Sequence, residues 1–145
     1  MQMRLTEHFT FEELTKTNVA ELQNKNRKQA ESLKGKIIRL AEWAETLRAV
    51  IKVPMIITSG YRCGKLNERV GGSPTSQHTK AEAIDFIPSG LWVREAFVRL
   101  KDSGVPFGQL ILERRGGGFI IHAGMGTKRQ LLYSPKAGVY EAWKE

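Results

Sequence analysis

The sequence predicts an α+β fold in which a small antiparallel sheet is flanked by helices. Apolar residues spaced three and four apart form one stripe and predict a long amphipathic helix over residues 27–51. Two short apolar runs, residues 109–113 and 119–123, enclose a glycine-rich turn and predict a pair of strands. Because the predicted helices are segregated from this small sheet, the α+β class follows.

The other elements follow in chain order. Thr10 and Glu13 have the spacing of a capping box, which predicts a short helix over residues 11–17. Pro54 ends the long helix, and residues 55–58 then have the composition of a buried strand. The stripe of the long helix is expected to pack in the core and consists of Ala30, Leu33, Ile37, Leu40, Ala44, Leu47 and Ile51.

Residues 59–77 contain four glycines and one proline without hydrophobic periodicity, which is typical of a functional loop. Residues 81–87 are predicted to form a strand that Pro88 closes. Ser89 is expected to cap a helix that continues to about residue 102, and residues 131–133 are expected to add an edge strand. The buried side of that helix is predicted to consist of Trp92, Val93, Ala96, Phe97 and Leu100.

Composition indicates a single domain over residues 1–145, long enough to bury one core without disulfides. The chain has one cysteine, no apolar signal-like segment at its start and no run of ~20 apolar residues. We therefore expect a monomer that is made in the cytoplasm without a signal peptide and does not insert into membranes. The net charge of +8 favours an anionic partner. Lysine and arginine are scattered without a nucleic-acid-binding motif, so nucleic acid is not expected.

Three residues have the chemistry of metal ligands. His78 and Asp85 lie seven residues apart, directly after the glycine-rich loop, and His122 lies on a predicted strand. Imidazole and carboxylate suit Zn²⁺, and three protein ligands leave a fourth coordination position open, as catalytic zinc sites do. His8, the third histidine, is expected to make local contacts instead.

The segment of residues 76–85, SQHTKAEAID, resembles the S-x-H-x-x-G-x-A-x-D motif of zinc D-Ala-D-Ala peptidases of the M15 type. Residues 57–78 resemble the approach to the first histidine in that family. Residues 109–113 and the His122 strand resemble its last active-site strands. Residues 5–14 look like the start of its small phage-associated subgroup.

The resemblance implies the Hedgehog/DD-peptidase fold, with Zn²⁺ held by His78, Asp85 and His122. It also implies hydrolysis of peptide bonds in bacterial peptidoglycan stems, as a D-Ala-D-Ala carboxypeptidase or an endolysin-type endopeptidase. Such a protein would act on the cell wall after release, as in phage lysis. Arg62 would bind the substrate carboxylate or the developing oxyanion.

Ser76, Gln77 and Ile120 are the other residues expected to contact the substrate. Ser76 would orient the loop or a ligand through its hydroxyl, although a role as an ordinary turn residue would explain this serine almost as well. Ile120 stands where a tryptophan is common in the family, which would reshape the substrate groove. Ala81 replaces the usual glycine of the motif, so the backbone there is expected to avoid positive φ.

One departure from the family concerns the general base. Larger relatives carry an acid three residues before the last histidine, where this chain has Phe119. Glu113 is the candidate replacement. By strand alternation its side chain lies on the same side of the sheet as His122 if Glu113 pairs, for example, with Ile120. By the same alternation, Glu82 would point away from Asp85.

Two other functions compete with a peptidase. One is a non-enzymatic zinc-bearing domain for phage assembly or cell-wall docking, which the missing acid favours. The other is a basic nucleic-acid-binding protein, which would require a contiguous lysine and arginine face and no metal.

Overall fold

The computed structural model describes residues 2–145 as five helices, six strands and two short 3₁₀ turns, Ala20–Leu22 and Gln77–Lys80. The helices are α1 (Phe11–Thr15), α2 (Gln23–Glu31), α3 (Lys34–Ile51), α4 (Gly64–Arg69) and α5 (Val93–Asp102). The strands are β1 (Met55–Ser59), β2 (Ala83–Pro88), β3 (Gln109–Arg115), β4 (Gly118–Gly124), β5 (Gln130–Lys136) and β6 (Val139–Ala142).

The six strands form one sheet in the order β1-β2-β4-β3-β5-β6, which confirms the α+β class. The β3–β4 and β5–β6 pairs are antiparallel, whereas β3 and β5 run parallel. The sheet is therefore mixed rather than wholly antiparallel. β5 is an interior strand, so the expectation that residues 131–133 lie at the edge is wrong, and β6 takes that place.

Backbone contacts divide the chain into two units. The first takes the chain up to Glu45 together with Ile57–Ile84, and the second consists of Thr46–Ile56 and Asp85–Glu145. The single domain expected from chain length stays a prediction. Among residues 2–145, no helix has the length and apolar composition required to cross a bilayer.

In the first unit, α1 begins as the capping box predicts. The Thr10 hydroxyl accepts from the Glu13 backbone N–H at 3.1 Å, and the Glu13 carboxylate accepts from the Thr10 N–H at 3.0 Å. The box satisfies two backbone donors that helix geometry leaves without partners. The helix ends at Thr15, two residues earlier than expected.

The long helix expected over residues 27–51 is two helices, with a turn at Ser32 and Leu33. The Ser32 N–H and hydroxyl both donate to the Gln29 carbonyl, and the Leu33 N–H donates to the Ala30 carbonyl at 2.9 Å. These bonds to the third residue back tighten the chain and end α2. The predicted apolar stripe is nevertheless buried, apart from half-buried Leu33.

The segment of residues 59–77 is not one continuous loop, because α4 forms within it. Leu66 and Asn67 are buried on the inner side of this helix. Such a helix of six residues has no room for a hydrophobic periodicity, which explains why the sequence pattern did not predict it.

In the second unit, the β3–β4 hairpin has the register given above as an example, with Glu113 opposite Ile120 and Ile111 opposite His122. Opposed residues share a face, so these four side chains lie on one side of the hairpin, the site face. The opposite side, the core face, is almost completely buried and consists of Leu110, Leu112, Ile121 and Ala123.

Helix α5 lies against β3 and β4 and starts later than expected. Gly90 has a φ of 79°, which right-handed helices do not allow, so Ser89 cannot cap the helix. Trp92 is the residue before the helix and is 83% exposed, so its expected burial is wrong. The helix buries Ala96, Phe97 and Leu100, as predicted.

Candidate metal centre

The three predicted ligand residues lie together. One ligand-type atom from each of His78, Asp85 and His122 falls within 4.8 Å of the other two. His78 belongs to the 3₁₀ turn Gln77–Lys80, Asp85 to β2 and His122 to β4. His78 is 2% exposed, and the other two residues are half-buried. A loop and two strands therefore supply the group, as expected.

The His78 ring is fixed by its own surroundings. Its Nδ1 lies 2.7 Å from the Gly60 carbonyl oxygen, so Nδ1 carries the proton and donates it. Nε2 is then the atom that would ligate a metal, and the Gly60 carbonyl is the outer partner that orients such histidines. The Ser76 hydroxyl accepts from the His78 backbone N–H at 3.2 Å. This bond gives Ser76 a role in the turn.

Gly60 is itself constrained to be a glycine. A Cβ atom at this position would lie 2.4 Å from the Leu14 carbonyl oxygen. The Tyr61 N–H donates to the same carbonyl at 2.7 Å. The close approach of α1 to this backbone therefore holds the carbonyl that orients His78.

Ala81 has a φ of 56°, so the expectation that its backbone avoids positive φ is wrong. The residue ends the 3₁₀ turn in the left-handed conformation, and its N–H donates back to the Gln77 and His78 carbonyls. This closure requires the conformation for which glycine is usual, and alanine there accepts a strain of about 1 kcal/mol.

Asp85 and His122 are already paired, with Asp85 Oδ1 at 2.9 Å from His122 Nδ1. Adjacent donors of a tetrahedral zinc site are about 3.4 Å apart when the bonds are about 2.1 Å long. The pair is about 0.5 Å closer than that spacing, as a direct hydrogen bond requires, and its nitrogen and oxygen donors suit the metal. Together with His78, the pair fits a site with three protein ligands.

Glu113 lies on the site face with His122, as expected. Its side chain is 13% exposed, and Arg115 Nη2 lies 3.5 Å from its Oε2. The same Arg115 nitrogen donates to the Ser134 hydroxyl at 3.0 Å. Phe119 lies on the opposite side of β4 by alternation. An acid at that position in this hairpin would therefore point away from His122.

Arg62 follows Tyr61 and has partners within the protein. Its Nε donates to the Ser59 hydroxyl at 3.1 Å, and its Nη1 donates to the Asn67 side-chain oxygen at 3.2 Å. We expected no side-chain partner for Arg62, and that expectation is wrong. Its contact with the substrate stays a prediction. The two bonds fix the direction of the guanidinium before any substrate arrives.

The remaining predicted residues have less specific surroundings. Gln77 is half-buried, and its carbonyl accepts from the Glu82 N–H at 3.0 Å. Ile120 is half-buried on the site face. Their contact with a substrate stays a prediction. The His8 ring lies 2.7 Å from the carboxylate of Glu45 on α3, so its main partner is distant in sequence and not local as expected.

The sequence did not identify Asn26 or Arg115 as residues of interest. Asn26 is completely buried and lies one helical turn before Ala30, so it occupies a position of the apolar stripe. A polar residue on a buried stripe was the signal that could have identified it. Arg115 offered no such signal, because its partners come from β3 and β5.

The comparisons with known proteins agree with this geometry. The sequence profile of the family described as peptidase M15 matches residues 7–122, a range that includes all three predicted ligand residues and Glu113. The search of curated proteins found no match. The family profile covers most of the 145 residues. The chain therefore belongs to the peptidase M15 family.

Proposed function

We propose that this chain is a zinc-dependent peptidase that hydrolyses peptide bonds in the stems of bacterial peptidoglycan. The observation that carries the proposal is the convergence of His78, Asp85 and His122 inside the region that matches a peptidase family. A nucleic-acid-binding role has no comparable support.

His78, Asp85 and His122 would hold the metal, with one position left for water or substrate. When bound at such a site, zinc lowers the pKa of its water to about 7 and polarises the scissile carbonyl. The orientation of His78 by the Gly60 carbonyl supports this assignment, because a ligand ring held by a second bond loses little freedom on binding.

Glu113 would serve as the general base, taking a proton from the attacking water and returning it to the leaving amine. Its position on the site face supports this role. Arg115 beside it favours the charged carboxylate, which is the form that accepts a proton. Arg62 would bind a substrate carboxylate or the developing oxyanion. Ser76, Gln77 and Ile120 would line the groove for the peptide.

We further propose that the protein works as a monomeric single domain and reaches the cell wall after release from the cell, as in phage lysis. Its charge of +8 favours binding to an anionic wall, with an affinity that falls as salt is added.

Digestion of purified peptidoglycan tests the function. The protein should release new amino termini, lose this activity with a chelator and regain it when zinc is added. Mass spectrometry of the products separates a carboxypeptidase, which releases free D-Ala, from an endopeptidase, which releases cross-linked or shortened peptides. His122→Ala is the matched inactive control. If the protein binds zinc but releases no termini, the non-enzymatic wall-docking alternative replaces the peptidase.

A further inference from the structure

Asn26 is a polar side chain that lies entirely within the protein interior, at 0% exposure. Its Nδ2 donates to the Thr15 carbonyl at 2.7 Å and to the Tyr61 carbonyl at 3.1 Å. Its Oδ1 accepts from the Cys63 backbone N–H at 2.7 Å. Both amide hydrogens and the carbonyl oxygen are therefore used, which is the condition under which an amide is retained in a core.

Two of these three partners are the backbone groups on either side of Arg62. The Tyr61 carbonyl precedes Arg62, and the Cys63 N–H follows it, so one side chain holds the chain before and after the arginine. The third bond, to the Thr15 carbonyl, fixes Asn26 to the end of α1.

The rest of Arg62 is held by separate contacts. Its own N–H donates to the His78 carbonyl at 3.0 Å, which connects it to the turn that carries a predicted metal ligand. Asn67 accepts from the guanidinium and donates to the Ser73 carbonyl at 2.8 Å. A Cβ atom at Gly72 would lie 2.1 Å from the Asn67 side-chain oxygen, so this neighbourhood is closely packed.

We infer that Asn26 is a positioning residue for the reaction, fixing the backbone on both sides of Arg62 so that the guanidinium meets the substrate at a defined place. The inference rests on the proposed function, because it assigns Asn26 its purpose through Arg62. Displacement of a substrate-binding group by about 1 Å costs on the order of 100-fold in rate, so a residue that sets this position affects catalysis without touching the substrate.

A double-mutant cycle tests the inference. Asn26→Leu keeps the size of the side chain and removes all three hydrogen bonds. Cleavage of soluble peptidoglycan fragments is measured for the wild type, Asn26→Leu, Arg62→Ala and the double variant. We expect Asn26→Leu to lower kcat/KM by about 10- to 100-fold. The loss should divide between kcat and KM as it does for Arg62→Ala, and the double variant should lose no more than Arg62→Ala alone.

Ala30→Gly is the matched control, since Ala30 is buried on the same helix and its side chain forms no hydrogen bond. It should lower the melting temperature while leaving kcat/KM unchanged well below that temperature. If Asn26→Leu lowers the rate by the same factor with and without Arg62, Asn26 does not act through the arginine and the inference is overturned. A wild-type protein that cleaves nothing overturns the proposed function instead.

Amide hydrogen exchange of the wild type keeps the inference testable if Asn26→Leu does not fold. The Cys63 N–H should exchange only through global unfolding, because its acceptor is a buried side chain on α2. Exchange of that N–H as fast as in an unprotected loop would overturn the inference.

Discussion

Replacement of Glu113 by glutamine removes a basic oxygen with almost no change in shape. In the wild type, Glu113 lies on the site face with His122, 13% exposed and 3.5 Å from Arg115. Glu113→Gln keeps a hydrogen-bonding oxygen near that arginine but cannot accept a proton at neutral pH. If Glu113 is the general base, the chemical step should therefore fail while the fold and the metal ligands remain.

The expected effects on rate and stability differ in size. Loss of a general base costs about 10²- to 10⁴-fold in rate, which corresponds to about 3 to 5 kcal/mol of activation free energy. The Glu113–Arg115 ion pair is partly exposed, so its loss should cost about 1 kcal/mol of unfolding free energy or less. The bond of 3.0 Å between Arg115 and the Ser134 hydroxyl remains. The rate should consequently fall far more than the melting temperature.

The assay combines the rate of peptidoglycan cleavage with the zinc content and melting temperature of each variant. Glu141→Gln is the matched control. Glu141 pairs with Tyr133 on β5, whereas Glu113 pairs with the next residue of that strand, Ser134. Because neighbouring residues of a strand face opposite ways, the two carboxylates lie on opposite sides of the sheet. The control should keep the full rate. Normal cleavage by Glu113→Gln would refute the reasoning and require a base elsewhere.

Three further predictions concern metal binding, the arginine and acid stability. His78→Ala and His122→Ala should each lower the zinc content measured by metal analysis at least ~10-fold, and full zinc content in both would exclude these ligands. Arg62→Ala should abolish most cleavage and lower the unfolding free energy by about 1 to 2 kcal/mol, because it removes two side-chain hydrogen bonds; unchanged cleavage would make the arginine purely structural. Burial raises the pKa of Glu45, but hydrogen bonds from His8 and Thr6 together outweigh this effect and hold the pKa below its ordinary value of 4.5. The resulting stability is present above pH 4.5 and is lost as the pH falls through the lowered pKa, so the melting temperature of Glu45→Gln should be lower than the wild type at pH 6 and converge with it in acid.

Features with a local cause were predictable from the sequence. The capping box of Thr10 and Glu13 depends on residues three apart, and the structure forms it as expected. The shared face of Glu113 and His122 was also expected, because strand alternation places them together whenever Glu113 pairs with a residue such as Ile120, and the structure has that pairing. Two of the three predicted ligand residues, His78 and Asp85, belong to one motif that encodes a turn and a strand in fixed order, and His122 follows from the predicted strand at residues 119–123.

Features that depend on packing between distant segments were not predictable. The stripe of residues 30–51 continues through Ser32 and Leu33, so its periodicity gave no sign of the turn that divides the helix. Trp92 is large and apolar and adjoins the α5 stripe, yet it precedes the first helical residue and faces solvent. The partners of Arg62 come from the preceding strand and from α4, a helix too short to produce a periodic signal.

The turn between β3 and β4 controls more than the shape of one hairpin. It consists of two glycines, and Gly116 has a φ of 58°, which a side chain would oppose. If a length change at this turn displaced β4 by one residue, every side chain of that strand would move to the other side of the sheet. His122 would enter the core, and Ile121 would take its place near Asp85. An insertion or deletion in these glycines could therefore inactivate the protein while leaving every predicted ligand and the base in the sequence. Length variants of this turn are as informative about the chemistry as substitutions at the ligands themselves.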